Sequence, residues 1–251
     1  MKSPHNVVVF GATSAIAQAV ARRLVEHGCN LFAVGRNPEK LNAVVDDLRV
    51  RRGPNQLVAG RHADLDRVEE HAALFDASVH ALGGVDTVII AHGSLPDQLE
   101  CEVSIPLMLA QIHTNAISAV ALAAAAAQRL QAGGGGQIVA IGSVAGDRGR
   151  QSNYVYGAAK GMLALFLQGL RNSLDARGVH VLTVKPGFVD TPMTAGFTKK
   201  GFLWATPDRV ASDIVRAMFR RKDVIYTPGF WRWIMLCINH VPERIFKRMR
   251  L

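Results

Sequence analysis

The sequence predicts an α/β chain: an open, doubly wound, mainly parallel sheet of seven strands with helices on both faces, followed by an amphipathic C-terminal segment. Three observations predict it. The stretch NVVVFGATSAIAQAVARRLVEHG reads as strand, tight turn and helix, with a glycine at the helix end. Further short apolar runs, LFAVG, DTVIIA, GQIVAIGS and GVHVLTVKP, recur as buried strands separated by helical segments. Finally, 251 residues that are 49% hydrophobic supply one large core and not comfortably two. Residues 1–229 are therefore read as one domain and residues 230–251 as a tail.

Taken in order, the first unit is of Rossmann type. Backbone amides at the N-terminus of its helix would hold a pyrophosphate, and the small residues of GATSAIA would let it approach. The second strand ends at Arg36, where a site for NAD usually offers an acid to the ribose hydroxyls. A guanidinium there suits a 2′-phosphate, which favours NADP(H), with Ser14 and Asn37 as helpers; the other reading is a solvated loop arginine. Asp64 follows the poorly apolar strand QLVAGRH and is a candidate N-cap for the next helix. Residues 105–130 are expected to form one long helix, straight or bent, apolar nearly all round and therefore buried, with a possible place at a subunit interface.

The chemistry is concentrated in SVAGDRGRQSNYVYGAAK, residues 143–160. Tyr156 and Lys160 lie four apart in a helical pattern, so both side chains leave one face. A fixed cation near a phenol favours the phenolate, so Lys160 is expected to bring the Tyr156 pKa down. Ser143 ends an apolar strand, at the carboxyl end where open α/β sheets bind ligands. Tyr154 is an internal control, because the residue four further on is Ala158.

With the serine thirteen residues before Tyr156 and the Gly-rich start, the chain resembles the short-chain dehydrogenase/reductase family over nearly its whole length. The resemblance implies catalytic roles for Ser143, Tyr156, Lys160 and Asn115, the last holding a water that links the lysine to solvent. It implies a cofactor site made by Gly11, Thr13, Ser14, Ala15, Ile16, Arg36, Asn37, Asp64, Leu65, Gly93, Pro186, Gly187, Val189 and Thr191. In that pattern Asp64 lies near the adenine, and Pro186, Gly187, Val189 and Thr191 border the nicotinamide. The chain departs from it twice. The family's Gly-x-x-x-Gly-x-Gly is kept only at Gly11, with Ala15 and Ala17 in the other places, and a methyl at residue 15 is costly if the turn needs positive φ. Where the family often has Asn-Asn-Ala-Gly, this chain has Ile90, Ala91, His92 and Gly93; a catalytic His92 is not expected, since the segment lines the cofactor ribose.

Residues 194–207 combine glycine and apolar side chains without period, which suits a mobile lid over substrate. The net charge of +9 is concentrated late: from Arg209 onward ten bases face three acids. The tail is expected to form two short helices broken at Pro242, and its tryptophans beside bases have the composition of an interfacial segment at anionic headgroups. A dimer-interface tail is the alternative, and a nucleic-acid platform is disfavoured because no basic groove motif accompanies it. The tail with RQSNYVYG is similar to one branch of the family, which reduces a decaprenylphosphoryl 2-keto pentose. Three cysteines without close spacing imply neither disulfides nor a metal site. The start does not read as a signal peptide, and no apolar stretch is expected to reach membrane-spanning length. The expectation is an NADPH-dependent reductase of a lipid-linked or long-chain ketone, a homodimer or homotetramer, cytoplasmic or peripheral at the inner face of the cell membrane. The alternatives are a soluble 3-ketoacyl thioester or 3-ketosphinganine reductase with an oligomerising tail, and a protein that binds NADP(H) without turnover.

Overall fold

The computed structural model describes residues 6–197 and 201–249; the five-residue lead, residues 198–200 of the expected lid and the last two residues of the tail lie outside them. Strands β1 (Asn6–Phe10), β2 (Asn30–Gly35), β3 (Val58–His62), β4 (Thr87–Ile90), β5 (Gly136–Ile141) and β6 (Val179–Pro186) are followed by two short strands, β7 (Phe188–Val189) and β8 (Trp204–Ala205), and by β9 (Val224–Thr227). Seven of them form one sheet in the order β3-β2-β1-β4-β5-β6-β9, every pairing parallel. β7 and β8 pair separately. The sheet is the one the sequence predicts. β3 reads as poorly apolar because it is an edge strand that buries only Val58 fully.

Helices α1 (Ala15–Glu26), α2 (Pro38–Arg51), α3 (His71–Leu82), α4 (Gln98–Val103), α5 (Ile105–Ile112), α6 (Ser118–Ala132), α7 (Tyr154–Leu174) and α8 (Pro207–Phe219) cover the domain. Strand side chains alternate between its two faces. Val7, Val9, Leu31, Ala33, Val139 and Leu182 pack with α1, α2 and α8, while Val8, Phe10, Phe32, Val88, Ile138 and Val181 pack with α3, α6 and α7. Burial on both faces is why these strands are nearly continuous apolar runs.

Residues 105–132 are one helix interrupted by a π turn, His113–Ile117. Two expectations are corrected here. The helix is not buried throughout: α6 buries Leu122, Ala123, Ala126 and Leu130, whereas no residue of α5 is buried and Ile105 and Leu109 face outward. It is also long and apolar enough, by length and composition, to cross a membrane. Here, however, its centre is tied into the domain, with His113 Nε2 on the Asp66 carbonyl (2.8 Å) and Thr114 Oγ1 donating to the Asp66 carboxylate (2.7 Å).

The tail forms α9 (Trp231–His240) and α10 (Glu243–Phe246), parted at Pro242 as expected. It is docked rather than free. Trp231 is 3% exposed and Met235 1%, and both pack on Val144 with Phe188, Leu203 and Tyr226 around them.

Candidate active site

The sheet order reverses between β1 and β4, because the chain runs outward through β2 and β3 and then returns to the other side of β1. The crevice at the carboxyl ends of those two strands is where doubly wound folds take a ligand. Gly11 sits at its lip with φ +79°, and a Cβ there would lie 2.4 Å from the His92 nitrogen. Only glycine satisfies both the conformation and the approach. Ala15 and Ala17 pay no such cost: among the described residues Arg221 is the one non-glycine with positive φ, and both alanines lie within α1. The anticipated penalty at residue 15 is absent because the helix begins there rather than one turn later.

Thr13 to Ile16 carry the chain across the turn into α1, with Ser14 as N-cap, its Oγ accepting from Ala17 N (3.2 Å). Asn37 likewise caps α2 through Lys40 N (2.8 Å). Arg36, between β2 and α2, is exposed and has no partner among the described residues. Asp64 is not the N-cap of the following helix, which begins at Val68 after Arg67; its Oδ1 instead accepts from Asp66 N (3.2 Å) and closes a turn. Leu65 is buried, and its carbonyl accepts from Ser118 Oγ and meets His71 Nε2. Because the Ser118 proton goes to that carbonyl, His92 Nε2 must donate to Ser118 Oγ (2.9 Å), leaving His92 Nδ1 as a buried acceptor without a partner. Burial first, and then the Lys160 charge, push the His92 pKa down to about 3, so the ring is neutral. A glycine-lined cradle and an orphaned acceptor at the crevice suit a dinucleotide with free hydroxyls.

Ser143 follows β5, and its Oγ accepts from Ala145 N (3.1 Å), which leaves its proton to donate. The next residues, Val144–Asp147, form a 3-10 turn lying flush on α7, and small residues make this possible. A Cβ on Gly146 would fall 2.6 Å from the Lys160 carbonyl carbon, and one on Gly157 2.9 Å from the Ala145 oxygen. That contact brings the Ser143 hydroxyl beside Tyr156. Lys160 is 4% exposed, one turn further along α7, with Nζ 5.8 Å from the centre of the Tyr156 ring and donating to the Ile141 carbonyl (3.3 Å). Asn115, fully buried in the π turn, closes the set. Its Oδ1 accepts from Ser94 N (3.0 Å) and its Nδ2 donates to the Gln111 carbonyl (3.0 Å). A Cβ on Gly93 would stand 2.8 Å from Asn115 Oδ1 and 3.3 Å from Lys160 Nζ, so these three residues share one corner. A π turn in mid-helix is a common mark of a functional position.

One electrostatic expectation is corrected. Burial raises the Tyr156 pKa, the hydrogen bond with Ser143 acts the other way, and the lysine does not bring the phenol down. The Lys160 ammonium donates to the Ile141 carbonyl (3.3 Å) and lies 5.8 Å from the centre of the phenol ring. Burial also lowers the Lys160 pKa to about 8. A phenol that keeps its proton is a donor, which suits reduction of a carbonyl. Tyr154, the control, is exposed at the start of α7 beside Glu102 and Gln98.

The residues expected at the nicotinamide end are more occupied than the sequence suggested. A Cβ on Gly187 would fall 1.9 Å from Trp231 Nε1, so this glycine admits the tail. It follows Pro186, and its amide donates to Thr227 O (3.1 Å). The Val189 carbonyl accepts from Thr194 Oγ1 (2.7 Å), which in turn accepts from Thr191 N (3.1 Å). Part of the expected lid is regular structure: Trp204–Ala205 pairs with β7, Trp204 stacks on Phe188 and Thr206 caps α8.

Sequence reading missed what fastens the loop after Ser143. Asp147 is held by Lys185 Nζ (2.5 Å) and Tyr226 OH (2.7 Å). Arg148 donates to the carbonyls of Ile238, Asn239 and Val241 (2.6, 3.0 and 2.8 Å), pairs with Glu243 (3.1 Å) and lies over the Phe246 ring. The guanidinium thus caps α9 and fastens the tail to the catalytic loop.

Residues 5–201 match the family model for short chain dehydrogenases. An uncharacterized oxidoreductase of Mycobacterium tuberculosis is 34% identical over 97% of this chain and 96% of its own. The carbonyl reductase family member 4 of Danio rerio is 32% identical, covering 80% and 82%. The structure of a short-chain type dehydrogenase/reductase from Mycobacterium ulcerans superposes with a TM-score of 0.80 over 98% of both chains at 23% identity. Fold, sequence match and the crevice at the β1–β4 reversal agree: the chain belongs to the short-chain dehydrogenase/reductase family, NAD(P)(H)-using oxidoreductases that act on alcohol and carbonyl groups.

Proposed function

We propose that the protein is an NADPH-dependent ketone reductase, and the observation that carries this reading is the meeting of Ser143, Tyr156 and the buried Lys160 at the carboxyl end of β5. When bound in the cradle at Gly11, NADPH supplies the hydride that a carbonyl carbon accepts. The chain's own residues manage the oxygen. As charge develops on it, Ser143 donates a hydrogen bond and Tyr156 gives its proton. Lys160 holds positive charge beside the phenol that has lost its proton, and Asn115 anchors the corner through which that proton is replaced.

The preference for NADPH rests on Arg36, the exposed cation after β2 that has no partner among the described residues. Charge-assisted hydrogen bonds are worth roughly 1.5–3 kcal/mol, so Arg36→Ala is expected to weaken NADPH binding about 10- to 100-fold and leave NADH nearly unchanged. Fluorescence titration with both cofactors checks this, and an equal loss for the two would remove the arginine from 2′-phosphate recognition.

The substrate we propose is a lipid-linked keto sugar or long-chain keto lipid, met by a cytoplasmic protein at the inner face of the membrane. Its support is the outer face of the tail. Trp233 is 65% exposed, with Phe230, Leu236 and Ile245 also outward, beside Arg232, Arg244, Lys247 and Arg248, which make no ion pair among the described residues. That composition suits anionic headgroups. A homo-oligomer has a separate surface available, since Val103, Ile105, Leu109 and Leu165 are exposed on α4, α5 and α7. Removing the tail would also strip Trp231 and Met235 from the domain, so a surface variant is the cleaner probe. Trp233→Ser with Leu236→Ser is expected to abolish sedimentation with phosphatidylglycerol vesicles while keeping the fold and the oligomer size. A changed oligomer and no vesicle binding by the parent protein would favour the alternative, a soluble 3-ketoacyl thioester or 3-ketosphinganine reductase with an oligomerising tail.

A further inference from the structure

The loop between Ser143 and Tyr156 carries two arginines with different fates. Arg148 is fully engaged by the tail. Arg150 is not: it is half-buried, its Nε is shut off from solvent without a partner, and no carboxylate or carbonyl meets its guanidinium among the described residues. Burial lowers its pKa. The Asn153 amide donates to the Arg150 carbonyl (3.1 Å), closing a turn that leads directly into α7, and Asn153 Oδ1 is likewise buried without a donor. Native proteins rarely leave buried polar atoms unpaired, and an unmatched guanidinium is the more costly case. The turn is therefore unsatisfied at both ends, six residues before Tyr156.

Arg150 lines a crevice of about 170 Å³ with Gln151, Glu243, Phe246, Lys247 and Met249. Its walls are the catalytic loop on one side and α10 on the other. Lys247 adds a second cation, and Glu243, the one acid there, is ion-paired to Arg148. Phe246 and Met249 supply apolar surface. We infer that Arg150 is a specificity-determining residue that receives an anionic substituent of the ketone substrate, a phosphate or a carboxylate, in the crevice between residues 149–151 and α10. A guanidinium meets either group through two parallel N–H···O bonds. The inference rests on the ketone-reductase reading and adds to it the charge of the substrate.

The test compares ketones that differ only in charge, using the full chain with NADPH: dihydroxyacetone phosphate against dihydroxyacetone, and acetoacetate against ethyl acetoacetate. The expected result is a KM at least tenfold lower for one anionic member, with the two pairs showing whether phosphate or carboxylate is preferred. Arg150→Gln should abolish that preference while leaving kcat and the KM of the neutral ketone within about twofold, and Arg150→Lys should restore part of it. No charge preference in the parent protein, or an equal loss on charged and neutral ketones, overturns the assignment. If neither pair is reduced, calorimetric titration of the NADPH-saturated protein with glycerol 3-phosphate and with acetate decides the role of Arg150. Binding of one anion that Arg150→Gln removes supports it, and binding absent or unchanged in the variant overturns it.

Discussion

Tyr156→Phe is expected to lower kcat for ketone reduction by about 10²- to 10⁴-fold, the range that a positioned proton donor contributes, with NADPH binding nearly intact. The phenol lies beside Ser143, and burial keeps its pKa above the ordinary value, so near neutral pH it holds the proton that the forming alkoxide needs. Phenylalanine keeps the ring and removes that proton. Ser143 alone offers a hydrogen bond but no proton that Lys160 can help replace, which is why the loss falls on kcat rather than on cofactor affinity. The pH profile carries the same argument. Lys160, at about 8 in the free protein, is mostly charged at pH 7 and loses its charge as pH rises through 8, so kcat/KM for reduction is expected to decline above about pH 8. Steady-state kinetics with fluorescence titration of NADPH makes the check. Turnover unchanged in the variant would remove Tyr156 from the chemistry and favour a protein that binds NADP(H) without reducing anything.

The second large effect is on stability. Asp147→Asn is expected to cost roughly 3 kcal/mol, because taking away one member of a buried ion pair leaves the other charged and unmatched. The Asp147 side chain is 5% exposed and meets both Lys185 and the Tyr226 hydroxyl, joining the loop after Ser143 to β6 and β9. Asparagine preserves the shape, so the loss reads out charge and not a cavity. Asp223 is the contrast: it pairs with His180 and lies near Arg171, yet its side chain is 66% exposed, and exposed pairs contribute about 1 kcal/mol or less. Urea midpoints at constant m-value would separate the two. An Asp147 variant no less stable than an Asp223→Asn variant would show that the loop is held by its packing on α7 and not by the ion pair.

Much of the site was legible because it depends on short spacings. The interval from Tyr156 to Lys160 is one helical turn, Ser143 ends an apolar strand, and Gly11 stands between a strand and a helix. Other features were legible only as possibilities. Asp64 was a candidate N-cap until the turn at Asp66 took its oxygen, and Ala15 looked costly until the helix was seen to begin beneath it. The glycines that bring Ser143 to Tyr156 left a faint signal, since Gly157 and Gly161 share one face of α7 and meet Ala145 and Gly146 respectively. The Arg148 clamp left none: its partners lie about ninety residues away and are mostly backbone carbonyls, which every residue has.

By itself the sequence determined the seven-stranded parallel sheet and which residues stand at its strand ends, because periodicity and turn chemistry act over a few neighbouring residues. Only the tertiary structure decided which way the tyrosine's acidity moves, which half of the tail is spent on the domain and which of the two loop arginines the tail engages. Those outcomes depend on burial and on long-range partners, and neither exists until the chain has closed on itself.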